Sequence, residues 1–323
     1  MNHIGVIGGG AWGTALACVA ASRGPVSLWA READVVTSID AGRGNPMFLP
    51  GIPLPHSLRA FENHAALAPC DALIIAVPVQ HLRTMLEAAD LNARPLLLCA
   101  KGIEAGTAMT PVEIAAEIAP AVSRAVLSGP SFAAEVARGL PTALTLACRD
   151  PALGAAWTAR LGAPAFRLYA SDDVTGVEIG GAVKNVIAVA AGVVIGRGLG
   201  ENARAALIAR GLAEMIRYAR ARGGRAETLM GLSGLGDLVL TCGSTASRNM
   251  ALGMALGEGS TVKDALAPTR GVAEGAATAP VLAADARARD VTMPIAEAVA
   301  DLLEGAGVAG VVERLLARPA GAE

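Results

Sequence analysis

Lys184 stands in the most apolar stretch of the chain, between Val183 and Asn185, with no carboxylate near it in sequence. The lysines are few: of 27 Lys and Arg residues only Lys101, Lys184 and Lys263 are lysine. Arg keeps its proton under all ordinary conditions, whereas a Lys withdrawn from water releases one near neutral pH. A buried Lys184 therefore suits general acid/base chemistry. The alternative is a helix-end Lys whose ammonium reaches back to solvent. Lys101 follows an apolar run directly, in Ala100-Lys101-Gly102-Ile103-Glu104. Ser128-Gly129-Pro130-Ser131-Phe132-Ala133 follows the next run, with small residues and hydroxyls that suit a phosphate or a hydroxyl. Each reads as a plain loop alone; together, at neighbouring strand ends, they outline a cleft.

Two later segments add polar groups. In Gly234-Leu235-Gly236-Asp237-Leu238-Val239-Leu240-Thr241, a helix would set Asp237 and Thr241 on one face at i, i+4. Ser244-Thr245-Ala246-Ser247-Arg248-Asn249 precedes a helical run, and hydroxyls with an Arg at a helix start can cradle a phosphate or simply cap the helix. At the other end of the chain, Gly8-Gly9-Gly10-Ala11-Trp12-Gly13 is a G-x-G-x-x-G between a strand and a helix. There Gly8 permits the turn, Gly10 lets a pyrophosphate approach the backbone and Gly13 packs helix on strand, which together predict a dinucleotide site. The second strand ends at Arg31-Glu32. Arg31 suits the 2′-phosphate of NADP, Glu32 leaves NAD open, and an ordinary solvated charge is the third reading.

Positioning these groups requires an α/β fold. Apolar runs at His3–Ile7, Val26–Ala30, Ala72–Val77, Leu96–Cys99, Ala125–Leu127 and Ala143–Ala147 read as strands buried on both faces of a parallel sheet. Helices such as Thr14–Arg23 and Pro111–Ile118 complete βαβ units of a Rossmann-like, doubly wound sheet. From about Asp173 onward the strands stop. Thr175–Ile195, Ala203–Arg222 and segments near 248–257, 275–286 and 294–304 read as helices. The expected organisation is a dinucleotide-binding domain over 1–174 and an all-helical substrate domain over 175–323.

Bulk properties narrow the function. A formal charge of −2 and mixed charges such as Arg287-Ala288-Arg289-Asp290 give no footprint for nucleic acid and no polybasic membrane patch. The five cysteines are scattered without a C-x-x-C, as expected of free thiols in a reducing cytosol. His3, His56, His64 and His81 lack metal-site spacing. The first 22 residues carry no Lys, Arg, Asp or Glu, but glycines break the apolar stretch and no basic region precedes it. Asn185–Gly196 is too short to span a bilayer. A cytoplasmic protein without a stable membrane anchor is expected.

Ordered stretches then point to a family. GVIGGGAWGTALA (5–17), LPGI (49–52), AKGIE (100–104), SGPSFAAEVA (128–137), GAVKNVIAVAAGVVIG (181–196), NARAALIARGLAEM (202–215), GLSGLGDLVLTC (231–242), SRNMALG (247–253) and GVAEG (271–275) resemble the bacterial-type NAD(P)-dependent glycerol-3-phosphate dehydrogenases over nearly the whole chain. The resemblance implies reversible hydride transfer between NAD(P)H and dihydroxyacetone phosphate, giving sn-glycerol 3-phosphate for glycerophospholipid synthesis. It implies Lys184 as proton donor and acceptor, with Lys101 and Asp237 beside it. It implies substrate contacts from Lys101, Gly129, Ser131, Lys184, Asp237, Ser247, Arg248 and Asn249. Cofactor contacts fall on Gly8, Gly10, Ala11, Trp12, Gly13, Arg31, Lys101, Ala133, Arg248, Val272 and Glu274. Three departures stand out. Ala11 replaces a frequent Ser, Ala100 a frequent Ser or Thr, and Ala273 interrupts a usual Val-Val-Glu-Gly. Ala11 removes a hydroxyl from the cofactor loop, leaving NAD against NADP open, with Arg31 favouring NADP. Lys263 matches no motif. A homodimer is compatible with the resemblance. The rival readings are a related hydroxy-acid dehydrogenase, which would need a carboxylate clamp, and a non-catalytic NAD(H)-binding regulator, which would need a partner-binding module.

Overall fold

The computed structural model describes residues 1–267 and 273–319. Its first part is one eight-stranded sheet: β1 (Ile4–Ile7), β2 (Val26–Trp29), β3 (Leu58–Phe61), β4 (Ala72–Ile75), β5 (Leu96–Leu98), β6 (Arg124–Ser128), β7 (Thr142–Ala147) and β8 (Phe166–Ser171). The order is β3-β2-β1-β4-β5-β6-β7-β8. Successive strands spread to opposite sides of β1, which opens a crevice beyond the carboxyl ends of β1 and β4. Connecting and flanking helices are α1 (Ala11–Ala21), α2 (Ala33–Asp40), α3 (Leu82–Ala88), α4 (Pro111–Ile118), α5 (Ala133–Ala137) and α6 (Pro151–Leu161). The central strands β1, β2, β4 and β5 are buried throughout. Separate apolar clusters cover the two faces of the sheet, as continuous apolar strands require.

Two expectations need correction. The sheet is mixed, because β7 runs antiparallel to β6. Only the five-residue α5 lies between them, too short a crossover to carry the chain back to the start of a parallel strand. The strands β3 and β8 were not expected. They are the two sheet edges, and Arg59 and Arg167 face outward in them, so neither forms an uninterrupted apolar run.

The remainder is helical: α7 (Val174–Gly196), α8 (Gly200–Ala221), α9 (Ala226–Leu229), α10 (Asp237–Cys242), α11 (Arg248–Gly257), α12 (Val262–Leu266), α13 (Glu274–Ala288), α14 (Pro294–Leu303) and α15 (Val308–Leu316). A π-helical turn, Leu232–Gly236, runs directly into α10. The axis of this part is α7, whose N-cap Asp173 accepts from the Gly176 N–H at 2.9 Å. By length and composition α7 could cross a bilayer, but most of it is buried among its neighbours in the protein. The helix α11 lies backbone to backbone on α7: a Cβ on Gly253 would stand 1.9 Å from the Val189 carbonyl oxygen, and one on Gly192 2.1 Å from that of Met250. Such contact leaves no freedom in where α11 begins.

Candidate active site

The α7 backbone approaches the ends of β5 and β6 so closely that a Cβ on Gly181 would meet Ser128 Oγ at 2.8 Å and the Lys101 stem at 3.4 Å. Across this seam the lysines converge. Asp237 Oδ1 accepts from Lys184 Nζ at 2.5 Å, and its Oδ2 accepts from Lys101 Nζ at 2.7 Å. One carboxylate thus bridges a lysine from the sheet and a lysine from α7. Both Asp237 and Lys184 are buried, while Lys101 is partly exposed. Of the two readings of Lys184, burial is the one realised, and Asp237, distant in sequence, supplies its counter-charge.

Thr241 completes the arrangement. Its hydroxyl donates to the Asp237 carbonyl oxygen at 2.6 Å and accepts from Lys184 Nζ at 2.9 Å. Asp237 and Thr241 therefore do share a face, one turn apart on α10. Two of the three Lys184 N–H groups are committed here, and one is left for a third partner. Burial lowers the Lys184 ammonium to about 8, the Lys101 charge assists, and Asp237 opposes. At Asp237 burial alone would raise the carboxyl, but the two lysine charges prevail and hold it below the ordinary carboxylate range.

Other expected residues are placed as follows. Ser131 donates to the Gly129 carbonyl at 3.0 Å, and Lys101 Nζ reaches that carbonyl at 3.4 Å, so the loop after β6 borders the same ammonium. Ala133 opens α5. Ser247 is the N-cap of α11, accepting from the Met250 N–H at 3.3 Å, and the exposed Arg248 is the first residue of that helix. Asn249 faces inward: its Nδ2 donates to Asn185 Oδ1 at 3.0 Å and its Oδ1 accepts from the Gly275 N–H at 2.9 Å. Its side chain ties α11 to α7 and α13. The sequence placed Thr241 on the face of Asp237 but gave no role to Asn185, whose one signal was an amide beside a lysine in an apolar run. Glu274 begins α13, and burial pushes its carboxyl up to about 7 against the pull of Arg248, Lys101 and Lys184. Val272 lies outside the described residues. Lys263 is exposed on α12. Among the described residues, no group of three or more His, Cys, Asp or Glu side chains is arranged to hold a metal.

At the crevice beside β1, Gly8 adopts φ +123°, and a Cβ on Gly13 would stand 1.9 Å from the Gly8 carbonyl oxygen. Above Gly10 nothing lies within 4 Å of the Cβ position, at the start of α1 with its free N–H groups. Ala11 and Trp12 form the first turn of α1. This cradle fits a dinucleotide pyrophosphate. Arg31 is exposed and paired with Glu32 at 2.7 Å, so both candidates for the adenosine ribose contact occupy one spot.

Comparison with known proteins settles the family. Residues 3–154 match the model of the NAD-dependent glycerol-3-phosphate dehydrogenase N-terminus, and residues 173–310 match that of its C-terminus. The chain belongs to the NAD-dependent glycerol-3-phosphate dehydrogenase family. The glycerol-3-phosphate dehydrogenase (NAD(P)+) 1 of Sphingopyxis alaskensis is 55% identical to it over 320 residues, 98% of this chain and 97% of the relative. The crystal structure of glycerol-3-phosphate dehydrogenase from Coxiella burnetii superposes with a TM-score of 0.93 at 39% identity, covering 98% of this chain and 99% of that one. A ketopantoate reductase from Ralstonia eutropha shares the fold alone, with a TM-score of 0.57 at 17% identity over 97% of this chain and 99% of that one. Within the glycerol-3-phosphate dehydrogenase family, the mixed sheet and the helical second part are shared architecture.

Proposed function

We propose that this protein is an NAD(P)-dependent glycerol-3-phosphate dehydrogenase that interconverts dihydroxyacetone phosphate and sn-glycerol 3-phosphate. The observation that carries the reading is the Lys101–Asp237–Lys184 bridge, which holds an ionisable ammonium with one free N–H in a water-poor seam. We assign cofactor binding to residues 1–174 and the catalytic lysine and phosphate cradle to residues 175–323. When bound, the nicotinamide cofactor supplies or accepts the hydride at C2 of the substrate.

Lys184 donates its proton to the oxygen on C2 as negative charge develops there, and takes it back in the oxidation. Asp237 and Thr241 fix the direction of the remaining Lys184 N–H. Lys101 adds positive charge beside the reacting oxygen, worth more in this dry seam than in water. Arg248 and the free N–H groups at the start of α11 hold the phosphate, orienting the ketone. Gly129, Ser131 and the inward-braced Asn249 shape the same pocket. Gly8, Gly10, Ala11, Trp12 and Gly13 hold the pyrophosphate, Arg31 with Glu32 meets the adenosine ribose, and Ala133, Val272 and Glu274 complete the cofactor contacts.

The test is an initial-rate assay with dihydroxyacetone phosphate and, in parallel, a 2-keto acid such as ketopantoate, each with NADH and NADPH. Turnover of the phosphate ester with at least one cofactor, and none of the keto acid, is expected. The reverse pattern would replace this reading with a hydroxy-acid dehydrogenase.

A further inference from the structure

The segment after α2, which carries Leu49-Pro50-Gly51-Ile52, takes no part in the mechanism above, yet it reaches into the glycine loop. Asn45, in this segment, is 1% exposed. Its Nδ2 donates to the Gly9 carbonyl oxygen at 2.8 Å and to Thr14 Oγ1 at 2.9 Å. Its Oδ1 accepts from the Phe48 N–H at 3.2 Å, so the amide is oriented from both ends. The Thr14 hydroxyl in turn donates to the same Gly9 carbonyl at 3.3 Å. The Asn45 backbone is held as well, its carbonyl accepting from the Leu49 N–H at 2.8 Å.

The consequence lies in the peptide between Gly9 and Gly10. There are no cis peptides among the described residues, and in a trans peptide the C=O and the following N–H point in opposite directions. Two donors pin the Gly9 oxygen on the inner side of the loop, which turns the Gly10 N–H outward into the open space over Gly10. Three consecutive glycines impose almost no torsional preference of their own. Without the brace, this peptide plane is free to rotate and present its oxygen, rather than its hydrogen, to an anion.

We propose that Asn45 is a positioning residue for the dinucleotide pyrophosphate, acting through the Gly9–Gly10 peptide. The inference rests on the reading above that a nicotinamide dinucleotide lies on this loop. A binding task thereby falls to a segment given no part in the proposed proton transfer.

The experiment compares the full-length wild type with Asn45→Asp, Asn45→Ala and Thr14→Val. Asn45→Asp is nearly isosteric and keeps the acceptor for Phe48, but sets a carboxylate oxygen against the Gly9 oxygen. Its affinity for NADH, read by titration, should fall about tenfold or more, with Asn45→Ala close behind and Thr14→Val losing about threefold. ADP should weaken in parallel, whereas adenosine, which lacks phosphate, should compete with NADH as it does in the wild type. At saturating NADH, kcat and the KM for dihydroxyacetone phosphate should stay within about twofold. Unchanged NADH affinity in Asn45→Asp overturns the proposal. So does equal loss of adenosine and ADP, or a rise in both KM values together, since each marks a general disturbance of the fold. If the Asn45 variants do not fold, the isosteric Thr14→Val decides by the same comparison. A wild type that binds neither NADH nor NADPH would instead remove the underlying reading of the loop.

Discussion

An ammonium buried beside a carboxylate feels opposed pulls, and at Lys184 loss of water is the stronger, bringing it to about 8. The sign of its effect on turnover follows directly. In the proposed mechanism, reduction of the ketone needs the protonated Lys184, so kcat in that direction should be level below about pH 8 and fall as pH rises through it. Oxidation of the alcohol needs the neutral amine, so its kcat should rise through the same region. Parallel pH–rate profiles in the two directions check this; two profiles that fall together would assign the proton transfer elsewhere. Lys184 was legible as a chemical candidate because a lone Lys in an apolar run must be paired or neutral. Its partner Asp237 was legible only through the family resemblance, because 53 residues separate the two and no local pattern joins them.

At the scale of elements, α11 is placed by its contact with α7. Gly253→Ala would drive a methyl into the Val189 carbonyl, and the surrounding backbone has to move. A stability loss of about 2–4 kcal/mol is expected in thermal or denaturant unfolding. The KM for dihydroxyacetone phosphate should rise with it, since Ser247 and Arg248 move with their helix. A second element-level test concerns the seam between α4 and α7. Glu178, buried on α7, accepts from the Val112 N–H at 2.8 Å near the N-terminus of α4, and burial raises its carboxyl to about 8. A carboxyl that is raised on folding binds more protons in the native state. Its stabilising contribution is therefore full below the unfolded value and is lost as pH climbs to about 8. Glu178→Gln keeps an acceptor for Val112 and removes the titration. The variant should show a flatter decline of stability between pH 5 and 8 than the wild type, by on the order of 1 kcal/mol or more in unfolding midpoints converted to free energy. Identical pH dependence in both proteins would show that folding does not raise the Glu178 carboxyl. The helices themselves were readable where pattern and cap agreed. Pro111–Ile118 has Thr110 and Glu113 as a capping box, and 248–257 begins behind Ser247. The edge strands β3 and β8 were hidden by their outward arginines, and the antiparallel turn of β7 by the absence of any local signal for strand direction.

Across the whole molecule, the proposed catalysis depends on two halves meeting at one carboxylate. Lys101 arrives from the carboxyl end of β5, Lys184 from the middle of α7, and Asp237 from the start of α10, with the proposed phosphate cradle on α11 and the proposed dinucleotide cradle at β1–α1. The sheet order fixes the crevice and the long helix fixes the lysine, so neither half holds a complete site. Lys→Arg at position 184 probes this arrangement without removing the positive charge that pairs with Asp237. Single-turnover reduction of dihydroxyacetone phosphate by NADH, compared between wild type and Lys184→Arg, is the most direct measurement. A loss of about 10³-fold or more in the chemical step is expected, with NADH affinity and thermal stability close to wild type, because Arg cannot release the proton. Near-wild-type turnover in Lys184→Arg would contradict the proposed role of Lys184.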